Sequence, residues 1–317
     1  MSTPSRVAAL DVGTNTVLLT VAERRGAELV PLVERAEITR LGRGVDRTGR
    51  LDRAAVADTV EVLARFAAEA RALGARAIAC VATSAARDAA NGDEFFAAAR
   101  AAAGLAPEVI SGEEEARLVH RSAWSDFGAG AGRLAVLDVG GGSTELTWGA
   151  GPEPEGRRSF RMGAVRLAER VAAADPPSAG DLEALRAGAR QALAEVAAIR
   201  DSGALRSARL VAVAGTVTTL AAVRQALPAY DASRVHGGEL GEADLEALLA
   251  RLGALTVAER ARLPGMEPKR ADVIVAGCAV VLEALRLGGF DRLTVSDRGV
   301  RWGLLHDRFG RAPGAPA

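Results

Sequence analysis

Short apolar runs that stop at glycine-rich turns alternate with long segments whose apolar residues recur every three or four positions, and this alternation predicts an α/β fold. Residues 7–11 and 17–22 read as two strands of a hairpin across Gly13-Thr14-Asn15-Thr16, and 28–39 continues extended. Asp52 stands where a helix N-cap belongs, ahead of a segment that keeps Val56, Val60, Leu63, Ala67 and Ala70 on one face. Residues 76–82 read as a buried strand, 93–103 as a helix and 108–110 as a strand; ISGEEEARLVH then opens a helix with acids in its first turn. FGAGAG at 127–132 is the best linker candidate. Beyond it, 134–138 is a strand, GGGST a turn and 145–148 a second strand. Residues 210–214 form a strand running into GTVTTLAAV, a turn that opens a helix. A helix over 270–287 carries Val273, Gly277, Val280 and Ala284 as one stripe, 292–296 is the last strand, and a terminal helix runs to about 309. The tail RAPGAPA reads as disordered.

The opening architecture therefore occurs twice. Asp11-Val-Gly-Thr-Asn-Thr and Asp138-Val-Gly-Gly-Gly-Ser-Thr each set an aspartate at the end of an apolar strand, before a small-residue turn and a returning strand. The interval between them is domain-sized. A length of 317 residues also suggests two domains, drawn here as 1–126 and 127–317, with the last helix free to pack back on the first. Two copies facing each other would set both turns on one cleft.

Composition narrows the partners. Charged residues make up 25% and hydrophobic ones 49%, the range of an ordinary globular protein. With 40 basic and 40 acidic side chains the formal net charge is zero, so no global field favours nucleic acid or a membrane surface, and neither is expected as a partner. An anion must be caught locally. Cys80 and Cys278 lie in apolar runs and read as small buried hydrophobes. No signal-peptide core follows MSTPSR, so a cytoplasmic location is the expectation.

The two turns supply the local site. Phosphate needs backbone N–H groups aimed at it, and glycine permits both the dihedrals and the close approach. Gly13 and Gly140, Gly141 and Gly142 meet that need, with hydroxyls from Thr14, Ser143 and Thr144. Rival phosphate motifs fail: the only lysine, Lys269, is in a Pro-Lys-Arg context unlike a Walker A loop, and GGGSTE places Glu145 where a dinucleotide fingerprint needs glycine. No GxSxG or HExxH string occurs, and His120, His236 and His306 are too scattered for zinc. Phosphoanhydride hydrolysis needs a positioned water and neutralised charge. Asp11 and Asp138, at strand ends beside the turns, are natural ligands for hydrated Mg²⁺. Glu145 has two readings, a water-mediated contact to that ion or an exposed strand acid. Glu113, Glu114 and Glu115 stand at a helix start, where acids complement the helix dipole.

In this order, ALDVGTNT, ITRLGRG, VATSAARDAAN, ISGEEEARL, LDVGGGSTEL, MGAVRL, VAGTVTTLAA, KRADVIVAG and VSDRGVRWGLL resemble the motifs of the exopolyphosphatase and guanosine pentaphosphate phosphohydrolase family, from about residue 7 to 305. The resemblance implies two actin-like, ribonuclease-H-like α/β domains of the sugar kinase, Hsp70 and actin superfamily. It implies Glu115 as the base for the attacking water, Arg87 as a phosphate contact, and Asn15 together with the glycines and Ser143 of the second turn around the terminal phosphoryl group. Asp138, with Glu145, would hold Mg²⁺ or Mn²⁺. Inorganic polyphosphate is the favoured substrate, with guanosine pentaphosphate the alternative. The additional helical domain of longer members is not expected here, and Ala164 stands where some relatives have cysteine. ATP or ADP binding and homodimer assembly stay open, and two rival classes use the same turns: a phosphotransferase and a non-enzymatic filament or sensor protein.

Overall fold

In β1 (Arg6–Val12) every residue from Val7 to Val12 is buried, which is what a strand flanked on both edges and covered by helices requires. It pairs antiparallel with β2 (Thr16–Arg25), which pairs antiparallel with β3 (Glu28–Ile38). After the short α1 (Val45–Thr48) and α2 (Arg53–Ala72), β4 (Ala77–Ala82) returns parallel to β1. α3 (Ser84–Asp88), α4 (Gly92–Ala103), β5 (Glu108–Val109) and α5 (Gly112–Phe127) follow, and the sheet order is β3-β2-β1-β4-β5. The structure, a computed structural model, describes residues 5–310 except 27. The expected disorder of RAPGAPA lies outside the described residues. The chain forms two units, Met1–Ser122 with Val300–Ala317 and Ala123–Gly299, so the division falls inside α5, ahead of the 126/127 boundary suggested by the sequence. Phe127 closes α5, and the remainder of FGAGAG is turn within the second unit.

Asp52 caps α2 as expected, its carboxylate accepting from Ala54 N at 3.0 Å and Ala55 N at 3.1 Å. The buried face is rotated from the predicted one. Ala55, Thr59, Val62, Leu63, Phe66, Ala67 and Ala70 are buried, while Val56 and Val60 sit half-buried at its edge. Phe66 is the largest side chain on the helix face, and burying it turns the helix toward its side.

The second unit repeats the scheme. β6 (Leu134–Val139), β7 (Thr144–Gly149) and β8 (Gly156–Phe160) form the antiparallel meander. α6 (Ala164–Val171), α7 (Ala179–Ala192) and α8 (Glu195–Asp201) lead to β9 (Arg209–Val213), parallel to β6. α9 (Ala214–Arg224), α10 (Ala232–Val235), β10 (Glu239–Gly241), α11 (Glu242–Gly253), α12 (Val257–Arg260), α13 (Ile274–Gly288) and β11 (Arg292–Val295) complete it, in sheet order β10-β11-β9-β6-β7-β8. Both units are α/β folds built on mixed sheets. α9 starts directly at Ala214, whose left-handed φ of 74° makes the strand-to-helix corner that the sequence read as a turn. The expected helix over 270–287 begins later, because Pro268–Arg270 forms a 3-10 turn. It is buried on all sides from Ile274 to Leu285, packed by α6, α7, α8 and α11, so the stripe understates it. Its one buried acid, Glu283, is held by Arg186 at 2.9 Å and Arg190 at 3.0 Å. α14 (Val300–Phe309) belongs to the first unit, where Trp302 Nε1 and an Arg301 guanidinium nitrogen each donate to Glu34 Oε1 at 2.9 Å. Among the described residues no helix is long and apolar enough to cross a membrane.

Candidate active site

Each hairpin turn closes with the same backbone bond: Gly13 N donates to Thr16 O at 3.0 Å, and Gly140 N to Ser143 O at 3.1 Å. The segment after the third strand then clamps each turn. In the first unit Gly42 N donates to Thr14 O at 2.8 Å, and Thr39 N and Arg40 N both donate to Asn15 O at 3.1 Å. In the second, Ala164 N donates to Gly140 O at 2.9 Å, Val165 N and Arg166 N donate to Gly141 O at 2.9 and 3.1 Å, and Arg166 Nε donates to Gly142 O at 2.8 Å. Thr144 Oγ1 ties back to Met162 O at 2.6 Å. The approach is so close that a Cβ on Gly163 would lie 2.5 Å from Gly141 O and 2.6 Å from Gly140 O.

These bonds fix where the donors point. A trans peptide directs its C=O and N–H in opposite directions. With the carbonyls of Gly140, Gly141 and Gly142 all turned onto the 162–166 segment, the N–H groups of Gly141, Gly142 and Ser143 face the other way. No acceptor for them exists among the described residues. Three successive N–H groups of this kind make a concave anion cradle. The Thr14 and Asn15 carbonyls impose the same sense on the Asn15 and Thr16 N–H groups in the first unit.

Asp11 and Asp138 are the penultimate residues of β1 and β6, and both are buried. Burial pushes the Asp138 carboxyl up from the usual range to about 7, and among the described residues no hydrogen-bond donor or cation partners it. Glu145 stands directly opposite Asp138 in the β6–β7 register, so the two carboxylates share a sheet face. The reading of Glu145 as an exposed strand acid is overturned: it is 1% exposed, and Oε1 accepts from Ser159 Oγ of β8 at 2.7 Å. Asp11 belongs to the first unit, and among the described residues no three His, Cys, Asp or Glu side chains gather into a metal-binding group. The pair Asp138 and Glu145 still fits Mg²⁺, which commonly takes one or two carboxylates and completes its octahedron with water and phosphate oxygens.

In the first unit Arg87, on α3, donates to Ile110 O at 2.8 Å and stands 3.5 Å from Glu115 Oε2 on α5. Glu115 is buried, and its neighbours on the helix are spent differently. Glu114 makes a fork with Arg117, at 2.9 and 2.8 Å, and Arg117 also donates to Asp307 of α14 at 2.8 Å.

Residues 20–312 match the Ppx/GppA phosphatase family. The chain belongs to that family. It is 40% identical over 314 residues to exopolyphosphatase 2 of Mycobacterium tuberculosis, covering 95% of this chain and 97% of that one. The crystal structure of the Aquifex aeolicus Ppx/GppA family member superimposes with a TM-score of 0.80 at 32% identity, covering 96% and 97% of the two chains. An exopolyphosphatase from Cytophaga hutchinsonii, at 24% identity and TM-score 0.88, shares the fold. As a Ppx/GppA member the chain is a phosphoanhydride hydrolase.

The clamps are the part of this Ppx/GppA site that sequence reasoning missed. ITRLGRG and MGAVRL mark them, but the strings carry no local cue that their amides end on carbonyls more than twenty residues away. A usable signal was the duplication itself, since each clamp follows the third strand of its unit.

Proposed function

We propose that the chain is an exopolyphosphatase, which hydrolyses the terminal phosphoanhydride of inorganic polyphosphate and releases orthophosphate, with Mg²⁺ or Mn²⁺ as cofactor. One observation carries this reading: the N–H groups of Gly141, Gly142 and Ser143 form a cradle three residues past the buried, unpartnered carboxylate of Asp138. A cradle and an acid so placed suit a phosphoryl anion that arrives with a divalent cation. The name of the 40% identical Mycobacterium tuberculosis relative favours polyphosphate over guanosine pentaphosphate. The same reading keeps the cytoplasmic location expected from the sequence.

The cradle amides and the Ser143 hydroxyl take the oxygens of the terminal phosphoryl group, and Thr14 and Asn15 offer the first turn's own contacts to phosphate oxygens. Arg87 neutralises phosphate charge. Glu115 accepts the proton of the attacking water as its oxygen bonds to phosphorus; the bridging P–O bond breaks, and the shortened chain leaves with the electron pair. Asp138 and Glu145 would hold the metal, which when bound offsets negative charge on the phosphoryl oxygens and the leaving group.

The test is phosphate release from long polyphosphate, short polyphosphate, guanosine pentaphosphate and ATP under one set of conditions. Polyphosphate should have the highest kcat/KM. If guanosine pentaphosphate leads, the substrate assignment passes to the nucleotide, and conversion of added ADP to ATP at the expense of polyphosphate would indicate a transferase.

A further inference from the structure

The three glycine carbonyls of the second turn are not held alike. Gly140 O and Gly141 O end on main-chain amides of residues 164–166, which cannot leave without unwinding the start of α6. Gly142 O is held by the side chain of Arg166, whose Nε lies 2.8 Å away. Arg166 is buried, so its guanidinium is fixed behind the turn rather than sampling solvent. Glycine's permissive dihedrals let the peptide after it rotate at little steric cost. A flip of the Gly142–Ser143 peptide would replace the Ser143 N–H in the cradle with the Gly142 carbonyl oxygen, a donor with an acceptor that repels phosphate.

We infer that Arg166 is a positioning residue that locks the Gly142–Ser143 peptide with its N–H toward the bound phosphoryl group. The inference rests on the reading of this turn as the phosphate site. The guanidinium suits the task because it keeps its charge when buried and aims its N–H groups along fixed directions. A charged donor also strengthens the bond to a carbonyl and polarises the peptide so that its N–H becomes a better donor on the opposite side. Lysine could supply the charge but not the direction. The bland alternative is that Arg166 only anchors the first turn of α6, in which case its loss lowers stability and leaves phosphate affinity in the folded fraction untouched.

The experiment compares wild type, Arg166→Met and Arg166→Lys. Orthophosphate affinity is measured by calorimetric titration and as the inhibition constant against polyphosphate hydrolysis, with kcat, KM and Tm alongside. Neither affinity readout depends on how much of the sample is active in turnover. Arg166→Met should bind orthophosphate about 10- to 100-fold more weakly and lose at least as much in kcat/KM, the range for losing a charged hydrogen bond. Arg166→Lys should recover part of both. Should Arg166→Met fail to fold, the lysine variant decides: weaker orthophosphate binding at unchanged Tm supports the lock. Wild-type orthophosphate affinity in a folded Arg166→Met or, failing that, in Arg166→Lys overturns it. If wild type cleaves polyphosphate and the variants bind orthophosphate normally, the lock falls and the substrate reading stands. If the variants lose orthophosphate affinity while wild type cleaves no polyphosphate, the substrate reading falls and the lock stands. A wild type that binds no orthophosphate overturns both.

Discussion

Glu115→Gln separates chemistry from architecture in the first unit. The amide keeps the shape and an acceptor oxygen and loses the charge and basicity. The 3.5 Å contact from Arg87 is at the limit of a hydrogen bond, and Arg87 retains its 2.8 Å bond to Ile110 O, so the lost ion pair is worth about 1 kcal/mol or less. Removing a general base costs roughly 100- to 10,000-fold in turnover, about 3 to 5 kcal/mol on the barrier. Turnover should therefore fall by about 100-fold or more, with KM nearly kept and Tm moved by no more than about 4 °C. Glu114→Gln inverts the pattern. It breaks the fork to Arg117 and weakens the link to Asp307, which for a partly exposed pair is worth about 1 kcal/mol, or roughly 2–4 °C in Tm, while kcat stays within about twofold. The assay pairs steady-state phosphate release from long polyphosphate at saturating Mg²⁺ with calorimetric melting. Normal turnover by Glu115→Gln, or a larger activity loss in Glu114→Gln, would refute the assignment of the base.

Chelation by EDTA should abolish phosphate release, and Asp138→Asn should do the same at saturating Mg²⁺; without metal that variant should melt no lower than wild type, since burial disfavours the Asp138 carboxylate, and a fully active chelated enzyme would end the metal assignment. Gly163→Ala puts a Cβ 2.5 Å from Gly141 O and 2.6 Å from Gly140 O, too close for either carbonyl to stay where it is, so kcat/KM should drop by about 100-fold, measured on protein shown by circular dichroism to be folded; an unaffected variant would mean that the clamp yields freely. Glu283→Leu should leave turnover unchanged and cost about 1 kcal/mol or less, because Arg186 and Arg190 are partly exposed and swing to water once unpaired; a loss above about 3 kcal/mol in denaturant titration would show that they cannot.

What could be read from the sequence is what depends on neighbours in the chain. The β1–β2 and β6–β7 hairpins, the strand-end aspartates and the Asp52 cap follow from runs of a few residues, and the structure places them within one to three residues. The misplaced features depend on distant partners. Val56 and Val60 lost the centre of the α2 face to Phe66, a matter of side-chain volume against the sheet rather than of spacing. α13 looked amphipathic, yet helices on several sides cover it. The fate of Glu145 turned on β8, a strand with two arginines in five residues that gave no apolar run to recognise; once β8 pairs with β7, Ser159 meets Glu145 and the acid is enclosed.

The two copies of the turn are not held equally, and their residues show why. The first turn carries side chains at Thr14 and Asn15, which restrict its dihedrals, and three backbone amides from residues 39–42 suffice to clamp it. The second turn is three glycines, each of which gives up more conformational freedom on ordering, by roughly 0.5–1 kcal/mol relative to alanine. Its clamp is correspondingly heavier: three backbone amides, the Arg166 side chain and the Thr144 hydroxyl bond to Met162. Two additional hydrogen bonds at about 1 kcal/mol each, one of them charged and so stronger, are of the size needed to offset the two glycines that the second turn has beyond the first. The second turn thus gains the freedom to present three consecutive amides to one anion and depends on side chains to keep them there. Its amide geometry is therefore the more exposed of the two to a single substitution outside the turn.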